Sequence, residues 1–353
     1  MAVGPVIAPI ADLLQSTPRG LYCAVGDFYI DPWRRVDRAI ITHAHSDHAR
    51  PGHAHYLAHR AAEGVLRFRL GEIDLQCVEY GEVVHINGVR ISLYPAGHVL
   101  GSAQVRIEHR GEVWVVSGDY KIEPDPTCAP FEAVRCDAFV TESTFGLPVY
   151  RWPAQRSVFA DLDAWWRDNA AAGRASVVYA YSFGKAQRIL SGINASIGPI
   201  ICHGAVEALN RAYRAAGVDL PDTRLVTEVA DKAQLRQSLV IAPPSAQATP
   251  WLRRFGEHRD AFASGWMLLR GARRRRAVDR GVVLSDHADW PGLLSAIRGT
   301  GAQRIYVTHG YVPVMVRWLG EQGFDARPME SEYGGEQDDP APASSGAEAA
   351  GVA

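Results

Sequence analysis

The hydrophobic pattern changes character twice along the chain. Over roughly the first 145 residues, short runs alternate apolar and polar positions at 66–70, 73–78, 89–94 and 103–108, and a mostly apolar run follows at 113–117. That period of two predicts strands. Gly71 divides the first two runs, and Asn87-Gly88 and Arg110-Gly111 separate later ones as tight turns. Runs 38–42 and 138–141 have apolar centres and read as buried strands. From Trp152 the spacing becomes helical. A predicted helix at 155–172 ends at Gly173, and others fall at 185–191 and 206–216, with strands at 176–180 and 237–242. Helices alternating with strands predict a small parallel α/β unit. Beyond Arg280 the strand-then-polar texture returns, at 281–284 and 304–308.

This order predicts one domain interrupted by another. A discontinuous β-rich domain covers 1–150 and 270–333, and an α/β cap is inserted over 151–269. Residues 334–353 are Gly, Ala, Ser, Pro and acid, a composition that predicts disorder. No internal repeat of fixed period is present.

Composition narrows the function classes. The chain has 353 residues, 47% hydrophobic and 22% charged, which is ordinary globular usage with ample core. The formal net charge of −2 excludes a generally basic polyanion binder, so any basic surface is local. The Arg and Ala bias suits a high-GC bacterial genome. The five cysteines, Cys23, Cys77, Cys128, Cys136 and Cys202, form no CxxC pair and no disulfide framework. They point to reduced thiols and a cytoplasmic location. Residues 1–14 lack a basic n-region and an AxA-like site, and no run of about 18 apolar residues predicts a membrane span.

The chemistry concentrates in Thr42-His43-Ala44-His45-Ser46-Asp47-His48, directly after a buried strand. Alternate residues of an extended loop share a side, so His43 and His45 converge on one ion. Asp47 and His48 point past it, toward a second. Imidazole with carboxylate suits zinc or manganese. Three single residues stand in matching settings at the ends of apolar strands. They are His98 in Gly97-His98-Val99, Asp119 in Gly118-Asp119-Tyr120, and His309 in Thr308-His309-Gly310. The glycine beside each permits close backbone approach.

This pattern resembles the metallo-β-lactamase superfamily over nearly the whole chain, to about Tyr333. Its HxHxDH motif matches His43, His45, Asp47 and His48. Its third-motif His matches His98, its bridging Asp matches Asp119, and its earlier strand-ending Asp matches Asp31, with Asp27 a close rival. A narrower resemblance is to the β-CASP nucleases. Glu142 in Thr141-Glu142-Ser143-Thr144-Phe145-Gly146 matches the acid that precedes their cap. Ser285-Asp286-His287-Ala288-Asp289 matches their next motif, which carries His287, and His309 matches their last. The cap is similar to theirs at Ser182-Phe183-Gly184-Lys185-Ala186-Gln187 and at Ser264-Gly265-Trp266-Met267. Segments 26–33 and 43–53 most resemble the bacterial ligase-associated DNA exonuclease group.

The resemblance implies a four-layer αββα sandwich interrupted by the cap, and a hydrolase with two divalent ions, zinc or manganese. It places His43, His45 and His98 on one ion, Asp47, His48 and His309 on the other, and Asp119 between them. It makes His287 the general acid, Glu142 its orienting carboxylate, and Asp31 a support of the His43–His48 loop. It implies phosphodiester cleavage in nucleic acid, with DNA end processing or repair in functional association with a DNA ligase favoured. A His in the last motif is more typical of RNA-processing members, so RNA is the alternative polymer. A thioester or lactam hydrolase is a further alternative on this fold. A catalytically dead scaffold subunit is disfavoured, because all seven ligand positions are intact.

Ser285 or Asp286 is expected to cap a helix through Trp290. Histidines 53, 55 and 59 are expected on the surface of a helix after the ligand loop. His85, His109, His203 and His258 receive no role. For substrate binding, Arg273, Arg274, Arg275 and Arg276, with Arg270 and Arg280, form the densest basic run, which reads either as a solvated face or as a backbone track. Lys185, at a helix start, reads equally as a phosphate contact or as a structural residue, and Ser264 is a further candidate contact.

Overall fold

The computed structural model describes residues 12–332 except 277, so the predicted tail at 334–353 lies outside the described residues. Strands β1 (Gln15–Thr17), β2 (Gly20–Cys23), β3 (Phe28–Ile30), β4 (Arg38–Ile40), β5 (His55–His59) and β6 (Leu75–Val78) form one sheet in chain order. The first three meander antiparallel, and β3 to β6 run parallel. A parallel pair needs a crossover, and helix α1 (Glu63–Leu70) lies in the one between β5 and β6. Residues 66–70, expected as a strand, are therefore helical. Their alternation misleads because Phe68 is 46% exposed while the adjacent Val65 and Leu66 are buried. Glu63 and Arg67 pair one turn apart at 2.9 Å, and Gly71 ends the helix at φ 75°.

The three histidines expected on a helix are also misplaced. His53 precedes β5, and His55 and His59 are its end residues. His53 and His59 are buried because β5 is an inner strand, and burial pushes each imidazole down to about 4.

A second sheet begins with the antiparallel run β7 (Val83–Ile86), β8 (Val89–Pro95), β9 (Ala103–His109) and β10 (Glu112–Val116). Asn87-Gly88 and Arg110-Gly111 turn the chain with positive φ at both residues, which matches the right-handed twist of a two-residue hairpin. Strand β11 (Ala138–Glu142) adds parallel to β10.

The chain then enters a third sheet with its own helices. In order these are α2 (Gln155–Ala171), β12 (Ala175–Tyr179), α3 (Lys185–Gly192), β13 (Ile200–Cys202), α4 (Gly204–Ala215), β14 (Arg224–Leu225), α5 (Lys232–Arg236), β15 (Leu239–Ala242), β16 (His258–Ala263), α6 (Arg270–Arg275) and β17 (Arg280–Val282). The strand order is β14-β13-β15-β12-β16-β17, all parallel. The strand expected at 281–284 as a return to the first domain instead closes this sheet. The α/β unit thus runs to Val282 rather than stopping at 269.

Helix α7 (Trp290–Thr300), β18 (Arg304–Thr308), α8 (Val312–Glu321) and β19 (Asp325–Pro328) complete the second sheet, with β18 parallel to β11. The N-cap of α7 is Asp289, whose carboxylate accepts from Gly292 N, not Ser285 or Asp286.

Alternation along the strands assigns the layers. Ile40 and Leu57 of the first sheet meet Ile91, Val105, Trp114 and Val140 of the second in a shared core. Val115, Phe139 and Ile305 face the other way, onto α7 and α8. Ala39, Ile41, Tyr56 and Ala58 back onto α1 and the third sheet's Val178, Phe183 and Ile189. The architecture is mixed α/β, with two sheets face to face and helices outside both.

Candidate metal centre and active site

The predicted ligands come together at one end of the sandwich. β3, β4, β8, β10, β11 and β18 all deliver their C-terminal ends there, where parallel sheets open a crevice. Asp31 follows β3, the His43–His48 loop follows β4, His98 follows β8, Asp119 follows β10, Glu142 ends β11 and His309 follows β18. Asp31 and His309 sit at φ 43° and 54°, in the left-handed region that side chains rarely adopt. Gly118, at φ 56°, lets the Asp119 turn press on the ligand loop, since a Cβ there would lie 2.7 Å from Thr42.

Ligand atoms of His43, His45, His98 and Asp119 all lie within 4.8 Å of one another. Asp119 Oδ2 is the hub, at 3.4 Å from His48 Nε2, 3.5 Å from His43 Nε2 and 3.8 Å from His98 Nε2. His98 Nε2 stands 3.0 Å from His45 Nδ1. Asp47 and His309 stand further out. Asp47 Oδ2 is 3.7 Å from His48 Nε2, and the His309 ring centroid is 5.6 Å from that of His48. A second convergent group joins Asp119 to Glu142 and His287.

The donor set fits divalent ions. His43 Nε2 and His48 Nε2 are buried with no hydrogen-bond partner, an arrangement costly unless something else binds there. The outer nitrogens are fixed as metal-binding imidazoles require. His98 Nδ1 donates to the Asp286 carbonyl at 2.8 Å, and His48 Nδ1 lies 2.7 Å from Asp31 Oδ2. Asp31 also accepts from Thr42 N and Thr42 Oγ1, at 2.8 and 2.6 Å. Asp27, the rival acid, is exposed and accepts from Tyr22 OH instead.

Burial and neighbouring imidazoles hold His43 and His98 well below the usual 6.5, and His309 is lowered too. Neutral imidazole is the form that ligates metal. Burial works against a charged His48, but Asp119, Asp47 and Asp31 outweigh it and hold its pKa well above 6.5. Burial likewise opposes ionisation of Asp119, yet His48 and His287 keep it well below the carboxylate range.

His287 is buried beside this cluster, its Nδ1 2.9 and 3.1 Å from the Glu142 oxygens. Glu142 is itself held by Tyr120 N at 2.8 Å. The His287 carbonyl accepts from Trp152 Nε1 at 2.9 Å, and the ring lies 4.7 Å from that of His98.

Two of the expected substrate contacts are corrected. Lys185 is fully buried and pairs with Asp286 Oδ2 at 3.3 Å, with its ammonium 4.4 Å above the Tyr181 ring. Ser264 is also fully buried, and its Oγ accepts from Trp266 N at 3.3 Å. Both side chains are closed off from solvent. Of the basic run, Arg274 and Arg275 are exposed on α6, while Arg276 lies over the Phe262 ring at 4.3 Å.

What sequence reasoning missed is the buried charge around Asp286. Arg188 of α3 bonds the Ser285 carbonyl and approaches Asp286 Oδ1 and Asp125 Oδ2, both at 3.4 Å. Lys121 beside it donates to the Glu123 carbonyl at 2.6 Å, and burial lowers it to about 8. Burial opposes a charged Asp286, but Lys185 and Arg188 hold it down at about 2. The inserted unit thereby grips the loop that carries His287 and braces His98. The signal was a Lys and an Arg one turn apart, at 185 and 188, in a segment with no acidic residue of its own.

No family model matches the chain. A probable DNA ligase of Opitutus terrae is 30% identical over 311 residues, 87% of this chain and 30% of that protein. An RNase J-like protein of Methanocaldococcus jannaschii is 28% identical over 185 residues, 46% of this chain and 44% of that one. The endoribonuclease ysh1 of Emericella nidulans is 39% identical over 77 residues, 21% of this chain and 9% of that one. The chain spans less than half the length of each of these relatives. A crystal structure of a protein of unknown function from Enterococcus faecalis superposes with a TM-score of 0.56 at 12% identity, over 84% of this chain and 80% of that one. That likeness is one of fold.

Proposed function

We propose that this chain is a metal-dependent nuclease of the metallo-β-lactamase fold with a β-CASP cap, hydrolysing phosphodiester bonds of nucleic acid. The observation that carries the reading is the buried convergence of His43, His45, His98 and Asp119 beside a separate His287–Glu142 pair. The first group suits ion binding and the second suits proton transfer.

In this reading His43, His45 and His98 would hold one divalent ion, Asp47, His48 and His309 would hold a second, and Asp119 would serve both. Zinc or manganese bound there supplies Lewis acidity and a water of lowered pKa. The chain's own residues do the rest. Glu142 fixes the orientation of the His287 ring, and His287 gives a proton to the departing sugar oxygen. Asp31 holds His48 and the backbone of Thr42, which keeps the ligand loop in register. The inserted unit shapes the crevice, since His45 Nε2 meets the Phe183 carbonyl at 3.4 Å.

The similarity to a probable DNA ligase over 87% of this chain favours DNA and an end-processing role alongside a ligase. The similarity to RNase J-like and endoribonuclease proteins, with His309 in place, favours RNA as the second reading. The free cysteines favour a reducing, cytoplasmic setting in this reading, and no described helix is long and apolar enough to cross a membrane. The test is degradation of end-labelled single- and double-stranded DNA and RNA with added Zn²⁺ or Mn²⁺. Stepwise shortening of DNA supports the exonuclease reading. Hydrolysis of a thioester or lactam reporter with every polymer left intact would overturn the nuclease.

A further inference from the structure

With a net charge of −2, any pull on a polyanion must be local. The turn after Asp31 provides it. We propose that Arg34 and Arg50 form a phosphate-binding subsite at the rim of the active-site crevice, and that Glu332 occupies it in the absence of nucleic acid. The subsite rests on the nuclease reading and extends it to how the strand is held.

Arg34 takes Glu332 in a two-pronged grip, Nη1 to Oε2 at 2.8 Å and Nη2 to Oε1 at 2.7 Å. That fork is the geometry a guanidinium offers equally to carboxylate and phosphate. Arg50 adds a second cation at 3.7 Å from Oε2. Both guanidiniums also donate to one backbone carbonyl, that of Trp33, at 3.0 and 3.1 Å. A bland rim pair needs one fork and no tether. Here a shared carbonyl aims two cations at one point, and it would still do so after the carboxylate left.

Position completes the case. Trp33 and Ser331, the chain neighbours of Arg34 and Glu332, line a pocket that also contains Asp47, His48 and His309. Arg50 lies two residues beyond His48. A phosphate bound here would belong to the same strand as the scissile one, and that tether raises its effective concentration. The Arg34 and Glu332 side chains are 56% and 31% exposed, so solvent reaches the pair and a phosphate can compete with the carboxylate for the guanidinium.

Wild-type cleavage of an end-labelled strand and of a small nitrophenyl phosphodiester comes first and tests the nuclease reading alone. Binding of a labelled phosphorothioate strand is then titrated against salt for wild type, Arg34→Gln/Arg50→Gln and Glu332→Gln. The double variant should flatten the log–log salt slope by about 0.7 to 1.4, one to two single-strand phosphate contacts. It should raise KM for the polymer far more than it changes kcat. Glu332→Gln should act with the opposite sign, tightening binding about two- to fivefold. Arg34→Lys, which keeps the charge and loses the fork, should fall between. Strands with and without a terminal phosphate identify the occupant: a terminal group is bound if the double variant loses the preference, and an internal one if both strands weaken alike. An unchanged salt slope in the double variant, or Glu332→Gln binding no tighter than wild type, overturns the subsite.

Discussion

Asp286→Asn should destabilise the protein at neutral pH and not in acid. The carboxylate is buried against Lys185 and Arg188, and its pKa falls from 3.8 to about 2. A depression of that size corresponds to about 2–3 kcal/mol. Removing one member of a buried ionic group strands the others, so the full loss should be about 3–5 kcal/mol. For a chain of 353 residues, unfolding entropy near 0.7 kcal/mol/K turns that into a drop of about 4–7 °C in Tm. A depressed carboxylate stabilises the fold above its unfolded pKa, and that stability drains as pH falls from about 4 toward 2. Unfolding midpoints of metal-stripped wild type and variant should therefore differ most near pH 7, narrow near pH 3 and converge at about pH 2 and below. The metal-loaded pair should differ more, because the Asp286 carbonyl braces His98. No gap at pH 7, or a gap as wide at pH 3, would refute the assignment of this charge to the docking of the inserted unit.

Asp119→Ala should lose ions as well as activity, because one carboxylate approaches His43, His48 and His98. Metal analysis should give about two ions per chain for wild type and fewer for the variant. His287→Ala should keep its metal and slow polymer cleavage by about 10²–10⁴, with a smaller loss on a nitrophenyl diester that needs no proton on leaving. Equal losses on both substrates would remove His287 as the acid. If the exposed arginines of α6 line the strand's track, Arg274→Gln/Arg275→Gln should flatten the salt slope by roughly one unit. An unchanged slope would return them to a solvated face.

The residues of the histidine–aspartate cluster were legible because each follows an apolar strand. The strand gives a period-two signal, and His or Asp beside glycine at its end has little local structural purpose. The two hairpins were legible for a similar reason, since Asn87-Gly88 and Arg110-Gly111 encode their turns locally. Residues 63–70 were not. A Leu-Arg-Phe-Arg-Leu alternation satisfies the strand pattern, and burial of Val65 and Leu66 against the inserted unit overrides it. Lys185 could not be decided between a phosphate contact and a structural role because its partner Asp286 lies far along the chain. Only the fold brings a distant carboxylate to a buried ammonium. Arg34 and Arg50 were overlooked because neither belongs to a dense basic run. Their convergence depends on the Trp33 carbonyl, which no side-chain pattern reveals.

The central claim is that the buried histidine–aspartate cluster is a metal centre that cuts nucleic acid. The direct measurement strips the protein of metal and titrates Zn²⁺ or Mn²⁺ back, following bound ions and cleavage of a labelled strand together. The account predicts no cleavage without metal and a rate that rises with occupancy and saturates at about two ions per chain. Full cleavage by the stripped protein, or stoichiometric ion binding with no cleavage of DNA or RNA, would contradict it.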